Sequence, residues 1–231
     1  MYKWLLFDAD NTLFDFNMAE TKALANTFQQ FRLPYTNGVG DTYRQINAQV
    51  WQALERGEIT PDALRTLRFQ RLFAAVGQQA DTESFSTAYL VHLGHCGDLL
   101  DGAEAVVKTL AVTYRLALIT NGLADVQRPR LAASPLLPYF ESVTISDEVG
   151  VAKPNGRIFD IAFASMDHPA KNEVLMIGDS LTSDIQGGIN YGIDTCWYNP
   201  NGKQRPDGLP ITYEIKELAE LIQTLRVSEN P

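Results

Sequence analysis

The sequence predicts an α/β protein, a Rossmann-like parallel sheet core with an all-helical cap inserted after the first strand. Three observations carry this. Apolar runs of strand length, Trp4-Leu5-Leu6-Phe7, Leu116-Ala117-Leu118-Ile119 and Val174-Leu175-Met176-Ile177, each end in polar residues. From residue 101 onward, strand-like and helix-like segments alternate. Residues 17–95 carry helical periodicity and no strand signal.

The elements follow in order. Trp4–Phe7 reads as a buried strand delivering Asp8 to the open end of a sheet. Residues 18–31 place Leu24, Phe28 and Phe31 at helical spacing, and residues 43–54 do the same with Ile46, Val50 and Leu54. Thr60-Pro61-Asp62 opens a third helix, with Thr60 at the N-cap, Pro61 at the first position and an acid in the first turn. Gly77 ends it, and residues 81–91 form a fourth. Next come a helix at 102–112, a strand at Arg115–Thr120, a strand at 140–146, a helix at 157–166, and a strand at 174–177. A helix at 183–191, a strand at Asp194–Tyr198, a loop at 199–210 and a helix at 217–225 complete the chain. Pro129 falls where a helix is expected after Thr120, so that helix should start late, kink or be short. The boundaries are 1–16 and 98–231 for the core and 17–97 for the helical insertion, with hinges at 14–17 and 94–100.

The strand ends hold the chemistry. Asp8 and Asp10, two apart in extended chain, point the same way and repel. Such a pair suits a cation or a proton transfer; a turn with solvated carboxylates is the alternative. Ligands in open α/β sheets bind beyond the carboxyl ends of the strands. Asp8, Asp10, Thr120, Lys153, Asp179 and Asp184 should therefore converge. Thr120 also suits a helix N-cap, and Asp184 also suits the first turn of a helix, where an acid offsets the dipole. His92, His95 and His168 read as surface or cap residues, Ser180 as a turn residue and Glu148 as a solvated charge.

These segments resemble the haloacid dehalogenase superfamily of aspartate-nucleophile phosphatases. Asp8-Ala9-Asp10-Asn11-Thr12 is similar to its Asp-x-Asp-x-Thr motif, Thr120 to the second motif, Lys153 to the third, and Gly178-Asp179 with Asp184 to the fourth. The resemblance spans residues 4–199 and implies a mechanism through an aspartyl-phosphate. Asp8 would be the nucleophile and Asp10 the acid and base. Thr120, the backbone N–H of Asn121, and Lys153 would bind phosphate. The metal ligands would be Asp8, the Asp10 carbonyl and Asp179, holding Mg²⁺ with Mn²⁺ able to substitute. Asp184 would orient a metal-bound water or Lys153. An all-helical insertion at this place implies a C1-type cap over the active site.

Substrate follows less directly. Asp10 disfavours the dehalogenase branch, whose halide needs no proton. Trp51-Gln52-Ala53-Leu54-Glu55-Arg56-Gly57-Glu58-Ile59-Thr60, Arg68-Phe69 and the run from Ile145 to Pro154 resemble the cytosolic pyrimidine 5′-nucleotidase branch. The favoured reading is a 5′-nucleotidase on nucleoside monophosphates. The alternatives are a phosphatase on sugar phosphate or phosphoglycolate, and a phosphomutase; a non-enzymatic binding protein is disfavoured by the intact acid–lysine set. Trp51, Phe69 and Tyr43 could stack on a base, although each better suits the insertion's own core. The 231 residues carry 28 acidic and 19 basic side chains, net −9, which disfavours nucleic acid as a partner. Cys96 and Cys196 show no zinc spacing and read as free thiols. The apolar run before Asp8 is too short for a signal-peptide core, and no stretch reaches membrane-helix length. A cytoplasmic protein with no membrane partner is expected.

Overall fold

The computed structural model describes residues Met1–Glu229; residues 230 and 231, assigned by the sequence to the core, lie outside the described residues. The chain divides into two compact units. One comprises Met1–Asp15, Asp98–Ala124 and the residues from Leu131 onward; the other comprises Phe16–Gly97 and Asp125–Arg130.

In the first unit, six strands among the described residues form one parallel sheet. They are β1 (Trp4–Phe7), β2 (Arg115–Thr120), β3 (Phe140–Ile145), β4 (Val174–Gly178), β5 (Asp194–Tyr198) and β6 (Tyr213–Ile215). The order is β3-β2-β1-β4-β5-β6, so the chain reverses direction across the sheet at β1. Crevices at such a switch point are where open sheets bind ligands. The register sets Phe7 between Leu118 and Ile177, which brings the residues after all three strands to one edge.

The strands are apolar on both faces because both faces are covered. Leu5, Phe7, Leu116, Leu118, Leu175 and Ile177 pack with α5 (Ala103–Leu110) and α10 (Glu220–Glu229). Trp4, Leu6, Ala117, Ile119, Val174 and Met176 pack with α8 (Gly156–Ser165). The period of two in each run divides its side chains between the two cores.

The second unit holds α1 (Phe16–Gln30), α2 (Val39–Glu55), α3 (Pro61–Val76) and α4 (Thr82–Gly94). Local signals set α3: Thr60 accepts the N–H of Ala63 at 3.2 Å, and Gly77 closes the helix at φ 66°. An aromatic core joins the four helices. Tyr43 stacks on Phe69 with centroids 5.5 Å apart, and Phe85 packs edge-on to Phe28, Phe69 and Phe73. Tyr43 and Phe69, candidates for base stacking, have fully buried rings that pack on each other, while Trp51 is half-buried.

This unit also buries polar groups. The Tyr43 and Tyr89 hydroxyls and the Arg68 guanidinium lie together in this core, with Tyr43 interacting with both of the others and none of them making a short hydrogen bond there.

Several boundaries differ from the sequence reading. β6 was not anticipated; three residues at a sheet edge are too few to show a period. The helix expected from 43 begins at Val39. The strand expected to reach 146 ends at Ile145, where Ser146 opens α7 (Ser146–Val149). The last helix starts at Glu220, because the Glu220 carboxylate accepts the N–H groups of Lys216 and Glu217 and holds a turn there. α6 (Ala124–Ala133) is short and keeps Pro129 inside it. The missing N–H frees the Asp125 carbonyl, and Gly94 packs against both: a Cβ there would lie 2.9 Å from Pro129 Cγ.

Residues 186–191 form α9 (Gln186–Tyr191), which approaches the sheet through Gly188. A Cβ at Gly188 would meet Thr195 Cγ2 at 2.7 Å and Met176 Cβ at 3.3 Å. Gly188→Ala should therefore destabilise the protein by about 1–3 kcal/mol through overpacking. Urea unfolding of the variant measures it. A gain in stability, as expected of Gly→Ala in an open helix, would mean that α9 can shift freely.

Candidate active site

Lys153 is the centre of the site, and its side chain is 1% exposed. An ammonium has three N–H donors and no acceptor. Each finds an oxygen: Asp8 Oδ1 at 2.6 Å, Asp184 Oδ1 at 2.7 Å and the Ile119 carbonyl at 2.8 Å. Three segments distant in sequence are thus tied to one nitrogen. Burial works against the charge on Lys153, but Asp184 and Asp8 outweigh it and hold its pKa above the ordinary lysine value.

Asp8 leaves β1 at its carboxyl end and is buried. Its second oxygen accepts the Thr12 hydroxyl at 3.1 Å. The turn between them needs Asn11 at φ 59°, a left-handed conformation that asparagine tolerates better than most residues. Asp10 is half-buried just beyond and adds negative potential at Asp8.

β4 ends at Gly178, and Asp179 and Ser180 follow. Gly178 is required by close approach: a Cβ there would lie 2.3 Å from the Asp184 carboxylate. A π-helical turn, Leu181–Ile185, brings Asp184 back under the strand end. Ser180 makes this turn possible, since its hydroxyl accepts the N–H of Ser183 and its own N–H donates to Asp184 Oδ2 at 3.0 Å. Trp197 fixes the next residue by donating its indole N–H to the Asp179 carbonyl at 3.0 Å.

Thr120 is buried at the end of β2, and its hydroxyl accepts the N–H of Gly122 at 3.2 Å. It does not cap the following helix. Asp147 does that from another loop, accepting the N–H of Ala124 at 3.0 Å. The Asn121 side chain clamps the Lys153 backbone at two points: Oδ1 accepts the Lys153 N–H at 2.8 Å, and Nδ2 donates to the Lys153 carbonyl at 2.9 Å.

The structure brings together Asp8, Lys153, Asp179 and Asp184, with Asp10 and Thr120 on adjoining strand ends. Thr12, Gly178 and the Asn121 clamp were not given these tasks by sequence reasoning. The four-residue step from Asp8 to Thr12 was the available signal for the first. The other two depend on contacts that no local spacing encodes.

Carboxylate oxygens of Asp8, Asp179 and Asp184 all lie within 4.8 Å of one another. Burial, with Asp184 adding to it and Lys153 opposing, pushes the Asp8 carboxyl up to about 7. Burial, followed by Asp184 and Asp8, pushes Asp179 up to about 8. Three crowded acids against one lysine leave an excess of negative charge that suits a hard divalent cation with oxygen ligands. Both Asp184 oxygens hold N–H donors, and the two Asp8 oxygens accept from Lys153 and Thr12, so any cation here would share those oxygens with the protein's own donors.

The model of the haloacid dehalogenase-like hydrolases matches residues 2–192. The chain belongs to that family. It is 38% identical to the pyrimidine 5′-nucleotidase PynA of Streptococcus pneumoniae, over 97% of this chain and 95% of the relative. It is 34% identical to the pyrimidine 5′-nucleotidase YjjG of Escherichia coli, over 97% of this chain and 98% of the relative. A crystal structure of the HAD-hydrolase YfnB from Bacillus subtilis, bound to magnesium and described as revealing interdomain movement, is similar with a TM-score of 0.92. That pair is 37% identical over 97% of this chain and 98% of the other. No helix among the described residues is long and apolar enough to cross a membrane.

The raised acids make stability depend on pH. Asp8 and Asp179 bind protons more tightly folded than unfolded, where a carboxyl titrates near 4. Their contribution is therefore greatest below about pH 4 and is lost as pH rises through about 7 and about 8. In chelator, thermal unfolding from about pH 5 to about pH 8.5 should show this loss. Mg²⁺ at a hundred times its Kd should add about 2.7 kcal/mol. The gain should require far more Mg²⁺ at the acid end, because protons compete for the same oxygens. A Mg²⁺ affinity that does not change with pH would place the ion elsewhere.

Proposed function

We propose that this protein is a Mg²⁺-dependent phosphomonoesterase acting on nucleoside 5′-monophosphates. The observation that carries the reading is Lys153 held between Asp8 and Asp184 at the switch point of the sheet. Structural ion pairs are seldom so buried, and an excess of acid at a crevice suits a cation and a phosphate dianion together.

Phosphoryl transfer asks mainly for positioning and charge neutralisation. An Asp8 oxygen attacks phosphorus, forming an O–P bond as the P–O5′ bond breaks, and an aspartyl-phosphate results. Asp10 gives a proton to the departing nucleoside oxygen. It then takes one from water, which attacks the same phosphorus, so that inorganic phosphate leaves and the Asp8 carboxylate is restored. Lys153 offsets charge on the phosphoryl oxygens, helped by the Thr120 hydroxyl and the Asn121 backbone N–H. Asp8, the Asp10 carbonyl and Asp179 would hold Mg²⁺, with Mn²⁺ able to replace it, and the ion would orient and neutralise the phosphate. Asp184 keeps Lys153 aimed. The helical unit acts as the cap that selects the leaving group, and the similarity to PynA and YjjG favours a nucleoside over a sugar. The net charge of −9 fits an enzyme of small metabolites rather than of nucleic acid, and we place it in the cytoplasm.

Asp8→Asn should abolish turnover while the protein stays folded, since an amide is no nucleophile toward phosphorus. Phosphate release by purified Asp8→Asn at a near-normal rate would sink the assignment.

Asp10→Asn should slow nucleotide hydrolysis by about 100- to 10,000-fold. It should slow activated aryl phosphates much less, because their leaving oxygen needs little protonation. Equal losses on both substrates would remove the proton-transfer role. Across a panel of nucleotides, sugar phosphates and phosphoglycolate, nucleoside monophosphates should have the highest kcat/KM; a clear preference for any other class would leave the phosphatase reading and discard the nucleotidase one.

A further inference from the structure

The device that seats the main chain of Lys153 occurs a second time at the same edge of the sheet. Asn121, the first residue after β2, clamps Lys153. Asn199, the first residue after β5, makes the same pair of bonds with Lys203. Its Oδ1 accepts the Lys203 N–H at 2.9 Å, and its Nδ2 donates to the Lys203 carbonyl at 2.9 Å. Asparagine is mostly an exposed residue, yet Asn199 is buried. Nδ2 also donates to Glu214 Oε1 at 2.7 Å, and the Asn199 N–H donates to the Ile215 carbonyl at 2.7 Å, so the turn is fixed to β6. Gly202, at φ 61°, closes it by donating its N–H to the Asn199 carbonyl at 3.1 Å.

This turn lies beside the acids. Gly178 pairs with Trp197 in the register of β4 and β5, so Asp179 comes next to Tyr198, one residue before Asn199. The bond from the Trp197 indole to the Asp179 carbonyl fixes that spacing. Lys203 adds positive potential at the Asp179 carboxylate. Its side chain is exposed, and its ammonium makes no hydrogen bond or ion pair among the described residues. A firmly held main chain thus presents a free cation at the rim of the crevice. Lys153 differs, since all three of its N–H groups are on protein oxygens.

We propose that Lys203 is the second cation of this site, drawing the phosphate dianion toward an acidic crevice and restraining the crevice's hold on Mg²⁺. The inference rests on the phosphatase reading and adds a residue to it. Asp8, Asp10, Asp179 and Asp184 repel an approaching dianion and attract a divalent cation. A lysine on the Asp179 side opposes both effects. One charge therefore acts with opposite sign on the two ligands. A loop that only shaped the site would, when damaged, weaken both, and a lysine that was merely solvated would affect neither.

Lys203→Gln, Lys203→Glu and Lys203→Arg test this, because an exposed side chain can be changed without unfolding the protein. Calorimetry at low ionic strength measures the Kd of Mg²⁺ for metal-free protein and the Kd of inorganic phosphate with Mg²⁺ saturating. Steady-state rates on a nucleoside monophosphate and on an aryl phosphate give kcat and KM. In Lys203→Gln the Mg²⁺ Kd should fall by about 2- to 5-fold, while the phosphate Kd and both KM values rise by a similar factor. The change in KM should exceed any change in kcat. Lys203→Glu should enlarge every shift, and Lys203→Arg should stay near the wild type. Salt at about 0.5 M should erase the differences, because exposed charges are then screened. Weaker binding of both ligands in Lys203→Gln, or no change in either, would overturn the proposal. If the wild type hydrolyses no phosphate ester, the phosphatase reading falls, and the two dissociation constants still decide whether Lys203 acts on both ions.

Discussion

A single buried ammonium organises the core unit of this protein. Lys153 donates once to Asp8, once to Asp184 and once to the Ile119 carbonyl. No donor is left over, so its position is set by three oxygens on three strand ends. Removing any one would leave charge in a low-dielectric interior, where unpaired ions are far more costly than paired ones are stabilising. The backbone of the same residue is clamped by Asn121. Both ends of Lys153 are thereby fixed before any substrate arrives, the kind of preorganisation that electrostatic catalysis relies on.

This arrangement sets limits on the backbone around it. Asp184 can reach Lys153 only because Gly178 has no side chain and the π-helical turn returns the chain beneath β4. Asn11 takes a left-handed turn so that Thr12 can bond the second oxygen of Asp8. Trp197 on β5 holds the Asp179 carbonyl, linking the sheet's second half to the acid cluster. The result is a cluster of three acids around one lysine, and burial with mutual repulsion raises the carboxyls of Asp8 and Asp179.

Much of the fold and the catalytic set was legible in the chain alone. Short apolar runs such as Trp4–Phe7 and Val174–Gly178 declare strands because both sheet faces are covered, and the acids that follow them mark the open edge. Thr60, Pro61 and Gly77 bound α3 through local backbone chemistry. These signals work because their physics spans a few residues. What depends on distant partners was silent: the third bond of Lys153, the Asn121 clamp, the edge strand Tyr213–Ile215, and the capping of α6 by Asp147 instead of Thr120. Arg68 stood out in the sequence only through the Arg68-Phe69 pair; its burial over the rings of Tyr89 and Phe69 is set by packing between helices. The sequence by itself determined which residues sit at the strand ends, because strand period and turn chemistry are local. Only the tertiary structure decided which oxygen meets which nitrogen, because a buried charge takes its energy from every neighbour that excludes water.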